Sequence, residues 1–450
     1  MARRAQNWQH TGGDSPADRP PLTIIDLFAG AGGISEGFRQ AGFRVLGGVD
    51  YDPDAAATYR LNFPEARTIV GDVRLPEIHE SILDLARAAD VVVGGPPCQA
   101  FSQVRNYSRV IDDPRNSLYT EFVSVLRAVR PRAFLMENVT GMDQMGVRAQ
   151  IAEDLALDGE YVVRPQVLDA ADFGVPQTRK RLFFLGLHVS LGPPPALEGT
   201  GATGAIALVR FPGSKNRRYE LVARRDLFTT GLAGALEDPA DTSVVSASDA
   251  ISDLELLPAG RRDDEINYAE LPPPRSGYQH LMRQGTGPVL SNVQVPRVNA
   301  DTAMRLRGIP QGGNHRDLPE ALLHRYLTGQ RWGQDNGTGQ LSRRHFYAYR
   351  RLHPGIWAWT LSTKADAVYH FGAPRSLSVR EFARLQSFPD RFVFTTDPRK
   401  GALPGRIEGG PGHSRYRQAG NAVPVLLARA AASAIRGVIA STLMRNERTA

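Results

Sequence analysis

The sequence contains a single cysteine, Cys98, among its 450 residues. One thiol excludes any disulfide within the chain, and the lack of disulfides is typical of a reducing compartment. No apolar run reaches the roughly 18 residues that a membrane-spanning helix needs. The polar start of the chain lacks the apolar core of a secretory signal. We therefore expect a cytoplasmic protein without a membrane anchor.

Acidic residues are in the minority, with 47 aspartates and glutamates against 54 lysines and arginines and a net charge of +7. Such an excess favours a polyanionic partner, because basic side chains displace the counterions of a phosphate backbone. An arginine-rich composition that reflects only codon usage has the same charge balance. The charge therefore makes nucleic acid a candidate partner and no more.

The length of the chain exceeds one compact core, so two domains are expected. Residues 1–20 are polar, contain glycine and proline, and predict a flexible arm. Beyond them, apolar runs alternate with stretches of helical periodicity, at residues 23–28, 45–49, 91–93, 133–136 and 182–187. Strands that are apolar throughout and separated by helices predict an α/β fold, a mostly parallel sheet with helices on both faces. We assign this α/β core to residues 21–187.

The pattern becomes irregular after residue 188. Residues 192–213 are rich in glycine, proline and alanine, and residues 271–277 carry three prolines. This composition predicts a smaller, loop-rich second domain over residues 188–411. Residues 423–444 are apolar and rich in alanine, which predicts a helix of several turns.

A glycine-rich loop, Asp26-Leu-Phe-Ala-Gly30-Ala-Gly32-Gly33, lies between the first predicted strand and the first predicted helix. Glycines allow close approach of a ligand to the backbone. A dinucleotide-binding G-x-G-x-x-G loop would need a third glycine where this chain has Ser35. Asp50 and Asp72 follow the next strands, where carboxylates can hold ribose hydroxyls and an adenine amino group. The pattern predicts a nucleoside-bearing cofactor, with a tight turn lacking any ligand as the alternative.

Cys98 follows the apolar run at 91–93 and two prolines, Pro96 and Pro97. The prolines form a rigid turn that presents the thiol at the end of a strand. A lone cysteine is more often a small hydrophobic core residue. Its place at the sheet edge where the cofactor is expected instead favours a nucleophile.

Two further polar segments stand at strand ends. Glu137, in Glu137-Asn138-Val139, can act as an acid or hydrogen-bond partner for the same ligand, or can merely cap a turn. In Gln177-Thr-Arg179-Lys-Arg181, the alternate spacing places Arg179 and Arg181 on one face. There they can meet an anion or a carbonyl oxygen, although a solvated charge run has the same composition.

In this order and spacing, the segments resemble the DNA (cytosine-5)-methyltransferase family of bacterial and phage type. The signatures are the loop at 26–33, Pro97-Cys98-Gln99, the segment at Glu137, and Gln177-x-Arg179-x-Arg181; residues 378–390 and 420–424 also match. The resemblance extends from Leu22 to about Ala430 and is weakest between about 190 and 340. Val425 stands where many members have a second proline.

The resemblance implies transfer of a methyl group from S-adenosylmethionine to C5 of a cytosine, without a metal ion. Cys98 would add to C6 of the base. Glu137 would contact N3 and the exocyclic amine, and Arg181, with Arg179 nearby, would hold O2 and the adjacent backbone. The target base would have to be flipped out of the duplex.

The resemblance also implies a set of cofactor-lining residues, namely Phe28, Ala29, Gly30, Ala31, Gly32, Gly33, Asp50, Tyr51, Asp72, Val73, Pro97, Asn421 and Ala422. Residues 412–450, which include Asn421, are therefore expected to fold back and complete the catalytic domain. Residues 188–411 are expected to form the target recognition domain. The expected DNA contacts are Gln99, Ser102, Arg105, Gln177, Arg343, Arg344, Tyr347 and Arg350. Duplex DNA is the expected partner, a cognate restriction endonuclease a possible second one, and the chain is expected to be monomeric.

Other functions remain open at this stage. The same chemistry on transfer RNA is the nearest, although a sizeable variable region argues against it. An NAD-dependent oxidoreductase would use the same sheet but lacks its third glycine here. Amino-directed DNA methyltransferases carry an aromatic residue where this chain has Cys98. A DNA-binding regulator without catalysis would not need the reactive side chains that are present.

Overall fold

The computed structural model describes residues 20–97, 117–141, 147–211, 218–223, 244–318, 322, 349–366, 368–398 and 410–449. In these ranges a seven-stranded sheet forms the centre, with the strand order β3-β2-β1-β4-β5-β7-β6. Its strands are β1 Thr23–Leu27, β2 Arg44–Asp50, β3 Arg67–Val70, β4 Val91–Gly94, β5 Ala133–Val139, β6 Tyr161–Asp169 and β7 Lys180–His188. The first five are parallel, and β7 runs antiparallel to both β5 and β6.

This sheet confirms the predicted α/β fold. Every residue of β1 and β4 is buried, as expected of strands covered on both faces. The five predicted strands correspond to β1, β2, β4, β5 and β7. No apolar run predicted the two edge strands, although Asp72 was expected to follow a strand. β3 has only four residues and lies at one edge, and β6 at the other edge is interrupted by Pro165 and leaves Val162 and Val167 exposed.

The described helices are α1 Gly33–Gln40, α2 Pro53–Asn62, α3 Pro76–Ala86, α4 Ser117–Val129, α5 Arg148–Leu155, α6 Ala202–Ala205, α7 Ala247–Ile251, α8 Gly277–Met282, α9 Ala300–Gly308, α10 Val379–Leu385, α11 Gly410–Asn421 and α12 Val425–Thr449. Two hydrophobic clusters lie on opposite faces of the sheet. Ile24 belongs to one and its neighbour Ile25 to the other, as the period of two in a strand requires. The first cluster contains side chains of α1 and α12, and the second those of α3 and α4.

Helix α12 packs against α1, which directly follows the glycine loop. The two backbones approach closely, because a Cβ built at Gly37 would lie 2.6 Å from the Cβ of Ala428 and 2.7 Å from the backbone oxygen of Val425. Within the described ranges, one helical stretch, Gly412–Arg445, is long and apolar enough to cross a membrane, but 56% of its apolar window is buried in the protein. A core helix passes the same test of length and composition.

Residues 188–411 contain two small antiparallel pairs in their described part, β8 Ile206–Phe211 with β9 Arg218–Ala223 and β10 Glu265–Asn267 with β11 Val289–Ser291. Helix α10 is fully buried and shares a hydrophobic cluster with α12. Its Arg384 is hydrogen bonded to Asp253 and Asp390, all three side chains being inaccessible to solvent. The division of the chain at residues 188 and 411 stays a prediction.

Candidate active site at the carboxyl edge of the sheet

The predicted site segments meet at one edge of the sheet. Strand β1 lies between β2 and β4, and the loops that follow all three strands emerge at their carboxyl ends. After β1 the chain continues to β2 on one side of the sheet, and after β4 it continues to β5 on the other side. Ligands of open α/β sheets bind at this switch in strand order. The glycine loop, residues 95–97 and Glu137 therefore border a common space.

The glycine loop has the backbone that its glycines predict. Phe28, Gly30 and Gly32 have positive φ angles of 61°, 55° and 99°, and Gly32 caps the start of α1. A Cβ at Gly32 would lie 2.5 Å from the ring of Phe63, so no side chain fits there. Among the described residues, a Cβ at Gly30 would meet nothing within 4 Å. The loop thus presents backbone to open space on one side, which suits a closely approaching ligand.

Asp50 ends β2 and connects to this loop. Its carboxylate accepts hydrogen bonds from the backbone N–H of Gly30 at 2.7 Å and of Asp52 at 2.8 Å. Burial raises the pKa of Asp50, although these N–H donors oppose the effect. The carboxylate is fixed beside the glycines, where it can receive the hydroxyls of a ribose.

The other predicted cofactor residues differ in exposure. Tyr51 is 75% exposed beside Asp50, whereas Val73 is buried. Asp72 accepts a hydrogen bond from the backbone of Arg74 and pairs with its guanidinium at 2.6 Å, which lowers the pKa of Asp72. A ligand amino group at Asp72 would therefore compete with Arg74.

Asn421 is the last residue of α11, and Ala422 begins the turn to α12, which contacts the glycine loop. A Cβ at Gly33 would lie 2.4 Å from the backbone oxygen of Val423 and 3.4 Å from the Cβ of Ala422. The structure thus brings residues separated by nearly the whole chain to the same place. Gly33, at the start of α1, therefore packs against this turn.

Glu137 lies beside the loop that leads to Cys98. A Cβ at Gly95 would be 2.8 Å from Oε2 of Glu137, and the side-chain amide of Asn138 donates to the carbonyl of Pro96 at 3.0 Å. Arg181, on the neighbouring strand β7, holds Oε1 of Glu137 at 2.7 Å. Burial raises the pKa of Glu137, while Arg181 and Arg179 oppose this effect.

Arg179 is 3% exposed and donates from Nη1 to the carbonyl of Leu361 at 3.2 Å. Its Nε has no hydrogen-bond partner among the described residues. Burial, together with the nearby charge of Arg181, lowers its pKa well below the ordinary value. The Nε–H of this buried guanidinium can therefore donate a hydrogen bond to an anion or to a carbonyl oxygen.

Several predicted site residues lie outside the described residues: Cys98, Gln99, Ser102, Arg105, Arg343, Arg344 and Tyr347. Pro97 is the last described residue before Cys98. Arg350 is described, and its guanidinium lies 5.5 Å from the centre of the Trp359 ring.

Gln177, expected to contact DNA, is placed differently. Its side chain is fully buried, and its amide is hydrogen bonded to Leu361, Leu385 and Gln386 inside the protein. Gln386 is the residue that sequence reasoning missed. It stands in the matched segment at 378–390, but a glutamine after a buried helix carries no signal of its partners until distant segments are seen together.

Comparison with known proteins gives the site its context. The chain matches the family described as C-5 cytosine-specific DNA methylase over residues 22–248 and 275–437. It is 32% identical over 421 residues to Type II methyltransferase M1.HphI of Haemophilus parahaemolyticus. The aligned region covers 92% of this chain and 86% of that relative. It is also 32% identical over 467 residues to Type II methyltransferase M.AgeI of Thalassovita gelatinovora, covering 93% and 100%.

A solved structure described as a DNA modification methyltransferase encoded within a prophage of E. coli shares the fold. It superposes with a TM-score of 0.61 at 24% identity, covering 93% of this chain and 99% of that one. Fold and comparisons together define a methyltransferase of the class that takes its methyl group from S-adenosylmethionine. Within that class, the chain belongs to the C-5 cytosine-specific DNA methylase family, and it acts on cytosine in DNA.

Proposed function

We propose that Cys98 is the nucleophile of this methyltransferase and that Glu137, Arg179 and Arg181 bind the target cytosine. The main support for this proposal is the position of the Glu137 carboxylate. Its Oε2 lies against Gly95, and its Oε1 is 2.7 Å from Nε of Arg181. This arrangement presents a hydrogen-bonding carboxyl group and two guanidinium groups beside the loop that enters Cys98. The arrangement matches the polar edge of a cytosine, which has one amine, one ring nitrogen and one carbonyl oxygen.

The reaction requires a nucleophilic C5, which cytosine lacks. The thiolate of Cys98 adds to C6, and the resulting enamine-like C5 takes the methyl group as the bond between that group and the sulfonium sulfur breaks. The proton at C5 then leaves, and elimination of the Cys98 thiolate restores the aromatic base. A proton held on Glu137 stabilises the charge that develops at N3 as sulfur adds, and its raised pKa favours that protonated form.

S-adenosylmethionine supplies a methyl group bound to a positively charged sulfur. We assign its binding to the residues predicted for it, with Asp50 holding the ribose and the backbone of residues 28–33 facing the ligand. Open space at Gly30, the fixed carboxylate of Asp50 and the exposed ring of Tyr51 fit a nucleoside. Asn421, at the end of α11, and Ala422, in the turn after it, close the site.

For DNA recognition we propose contacts from residues 99–105 and from the basic and aromatic stretch at 343–350, including Arg350. The target recognition domain is proposed within residues 188–411. Because α10 is buried in the same hydrophobic cluster as α12, the DNA-facing part of that range is proposed to precede it. Gln177 is assigned a positioning role instead of a DNA contact, since its amide is fully buried.

The biological setting is proposed from the relatives, which are named Type II methyltransferases. We propose a cytoplasmic modification enzyme, monomeric, either paired with a restriction endonuclease for the same site or acting alone. The two roles differ in whether a nuclease cuts the unmethylated site.

A trapping experiment tests the proposed chemistry. DNA in which 5-fluorocytosine replaces cytosine has no proton to lose at C5, so elimination of the enzyme is blocked. With S-adenosylmethionine, the wild type should form a protein–DNA complex that survives denaturing electrophoresis. Cys98→Ala should form none, whereas Glu137→Gln should form it slowly. A stable complex with Cys98→Ala would refute the assignment of the nucleophile.

A further inference from the structure

The fully buried side chains of Gln177 and Gln386 are hydrogen bonded to each other. Gln177 precedes β7, and Gln386 follows α10. The amide nitrogen of Gln177 donates to the amide oxygen of Gln386 at 2.9 Å and to the carbonyl of Leu385 at 3.1 Å. The chemistry proposed above uses neither side chain.

Gln386 holds the turn between α11 and α12. Its amide nitrogen lies 2.8 Å from the carbonyl oxygen of Ala419, 3.4 Å from that of Gly420 and 3.3 Å from that of Ala422. The backbone carbonyl of Gln386 accepts a hydrogen bond from the backbone N–H of Val425 at 3.1 Å. The end of α11 and the turn after it, which carry Asn421 and Ala422, are therefore hydrogen bonded to Gln386 at several backbone positions.

Gln177 holds Leu361, the residue that also contacts Arg179. Its amide oxygen accepts from the N–H of Leu361 at 2.8 Å, and the carbonyl of Leu361 accepts from Nη1 of Arg179 at 3.2 Å. The next residue, Ser362, packs against the end of α11, because a Cβ at Gly420 would lie 2.2 Å from its carbonyl oxygen. Arg179 and residues 420–422 are thus joined through a short chain of buried hydrogen bonds.

This series of hydrogen bonds is rigid because its side chains have few unpaired donors and acceptors. Both N–H bonds of the Gln177 amide are used, and those of Gln386 are shared among three carbonyl oxygens. A shift of either amide alone would leave a buried polar group unpaired, which is costly. A displacement of the turn that keeps these hydrogen bonds therefore requires movement of both glutamines and of the Leu361 backbone.

We infer that the Gln177–Gln386 pair couples cofactor binding to the position of Arg179, so that a bound cofactor raises the affinity for DNA. This inference rests on the proposed function, which assigns the turn to the cofactor and Arg179 to the target base. Gln177 and Gln386 are positioning residues, since neither touches a substrate. The coupling is reciprocal by thermodynamic necessity, so DNA raises the affinity for the cofactor by the same factor.

The test measures this coupling factor. The affinity of a duplex carrying the methylated site is determined with and without saturating S-adenosylhomocysteine, and that of S-adenosylhomocysteine with and without the duplex. We expect roughly a 5- to 150-fold effect in the wild type. Gln177→Met and Gln386→Met should each reduce it by at least about threefold, and the double variant no further, because both act on one link.

The matched control is Gln279→Met. Gln279 is also fully buried and donates from its amide to Ser248 and Ser252, away from both sites. A loss that is merely structural lowers both affinities but leaves their ratio unchanged, so the coupling factor of this control should equal the wild-type value. Full coupling in both test variants, or an equal loss in the control, would overturn the inference.

Hydrogen exchange in the wild type provides a second route that does not depend on the folding of any variant. S-adenosylhomocysteine alone should slow exchange of the Leu361 N–H, which donates to Gln177. Unchanged exchange at Leu361, despite bound S-adenosylhomocysteine, would contradict the coupling. A wild type that binds neither S-adenosylhomocysteine nor duplex DNA would instead contradict the proposed function. A wild type that binds both without coupling would contradict only the inference.

Discussion

At the scale of single residues, the site is built by burying charge next to backbone donors. Asp26, at the end of β1, is fully buried and accepts from the hydroxyl of Ser35 at 2.7 Å and from its N–H at 3.2 Å. The Ser35 hydroxyl also contacts the hydroxyl of Tyr59 at 2.9 Å. Ser35, which only counted against a dinucleotide loop in the sequence, thus anchors the base of the glycine loop.

This arrangement makes stability depend on pH. Burial raises the pKa of Asp26 to about 7, although its hydrogen bonds with Ser35 oppose the effect. The unfolded value is about 3.9, so between these values the folded state binds the extra proton. Stability therefore falls as pH rises through this window and becomes flat above it.

We predict that Asp26→Asn removes this dependence. The wild type should lose about 2 kcal/mol of unfolding free energy between pH 5 and pH 8 that the variant does not lose, as measured by urea denaturation. Asp84→Asn, at an exposed carboxylate on α3, serves as the control and should follow the wild type. If Asp26→Asn also parallels the wild type across this range, Asp26 does not change protonation on folding.

At the scale of elements, α1 and α12 join the glycine loop to the C-terminal part of the chain. Their contact depends on the absence of a side chain at Gly37, where a Cβ would meet backbone atoms of α12. Gly437, on α12, offers the opposite case, because a Cβ there would meet no atom of the described part of the chain within 4 Å. Both glycines lie inside helices, so their backbone conformations are matched.

Alanine at these two positions should act in opposite directions. Gly37→Ala is expected to lower the unfolding free energy by about 1–3 kcal/mol through overpacking, despite the better helix propensity of alanine. Gly437→Ala is expected to raise it by about 0.5–1 kcal/mol. Thermal and urea unfolding measure both. Equal stabilisation by the two substitutions would show that α1 and α12 do not pack as described.

Helix α10 is fixed by a buried ion network. Burial raises the pKa of Asp390, but Arg384 and its hydrogen bonds outweigh this effect and leave the pKa below its ordinary value. The stabilising contribution of Asp390 is therefore present above its unfolded pKa of about 3.9 and is lost as pH falls through the lower folded value.

Arg384→Met should leave Asp253 and Asp390 buried without their partner. We expect a loss of about 3–5 kcal/mol of unfolding free energy at pH 7, shrinking as the pH falls below about 4. Arg87→Met, which breaks a surface pair with Asp84, should change stability by no more than about 1 kcal/mol. A cost for Arg384→Met as small as that of the surface control would rule out a structural role for the network.

The strands and loops of the site were predictable because their signals are local. A run of apolar residues, a glycine loop and a terminal acid are all properties of adjacent residues, as at Asp26–Gly33 and Asp50. The edge strands β3 and β6 carried weaker signals, since edge positions need no continuous apolar run. The contacts of Gln177 with Gln386 and Leu361 were not predictable, because they join segments about two hundred positions apart along the chain.

At the scale of the whole molecule, the excess of basic residues fits an enzyme whose substrate is a polyanion. Affinity for duplex DNA should therefore fall at least about tenfold between roughly 50 and 200 mM salt, as bound counterions are released. Affinity for S-adenosylhomocysteine, measured by calorimetry in the same buffers, should change by less than about twofold. A salt dependence as steep for S-adenosylhomocysteine as for DNA would point to a general effect of salt on the fold.

The most direct test of the central claim is methylation sequencing of DNA from a methylation-free host that expresses this chain. A C-5 cytosine-specific DNA methyltransferase with a target recognition domain should leave 5-methylcytosine at one short sequence throughout the genome. The Cys98→Ala variant, expressed to the same level, should leave none. Unmodified cytosines with the wild type, from folded protein that binds S-adenosylmethionine, would contradict the assignment of DNA as the substrate.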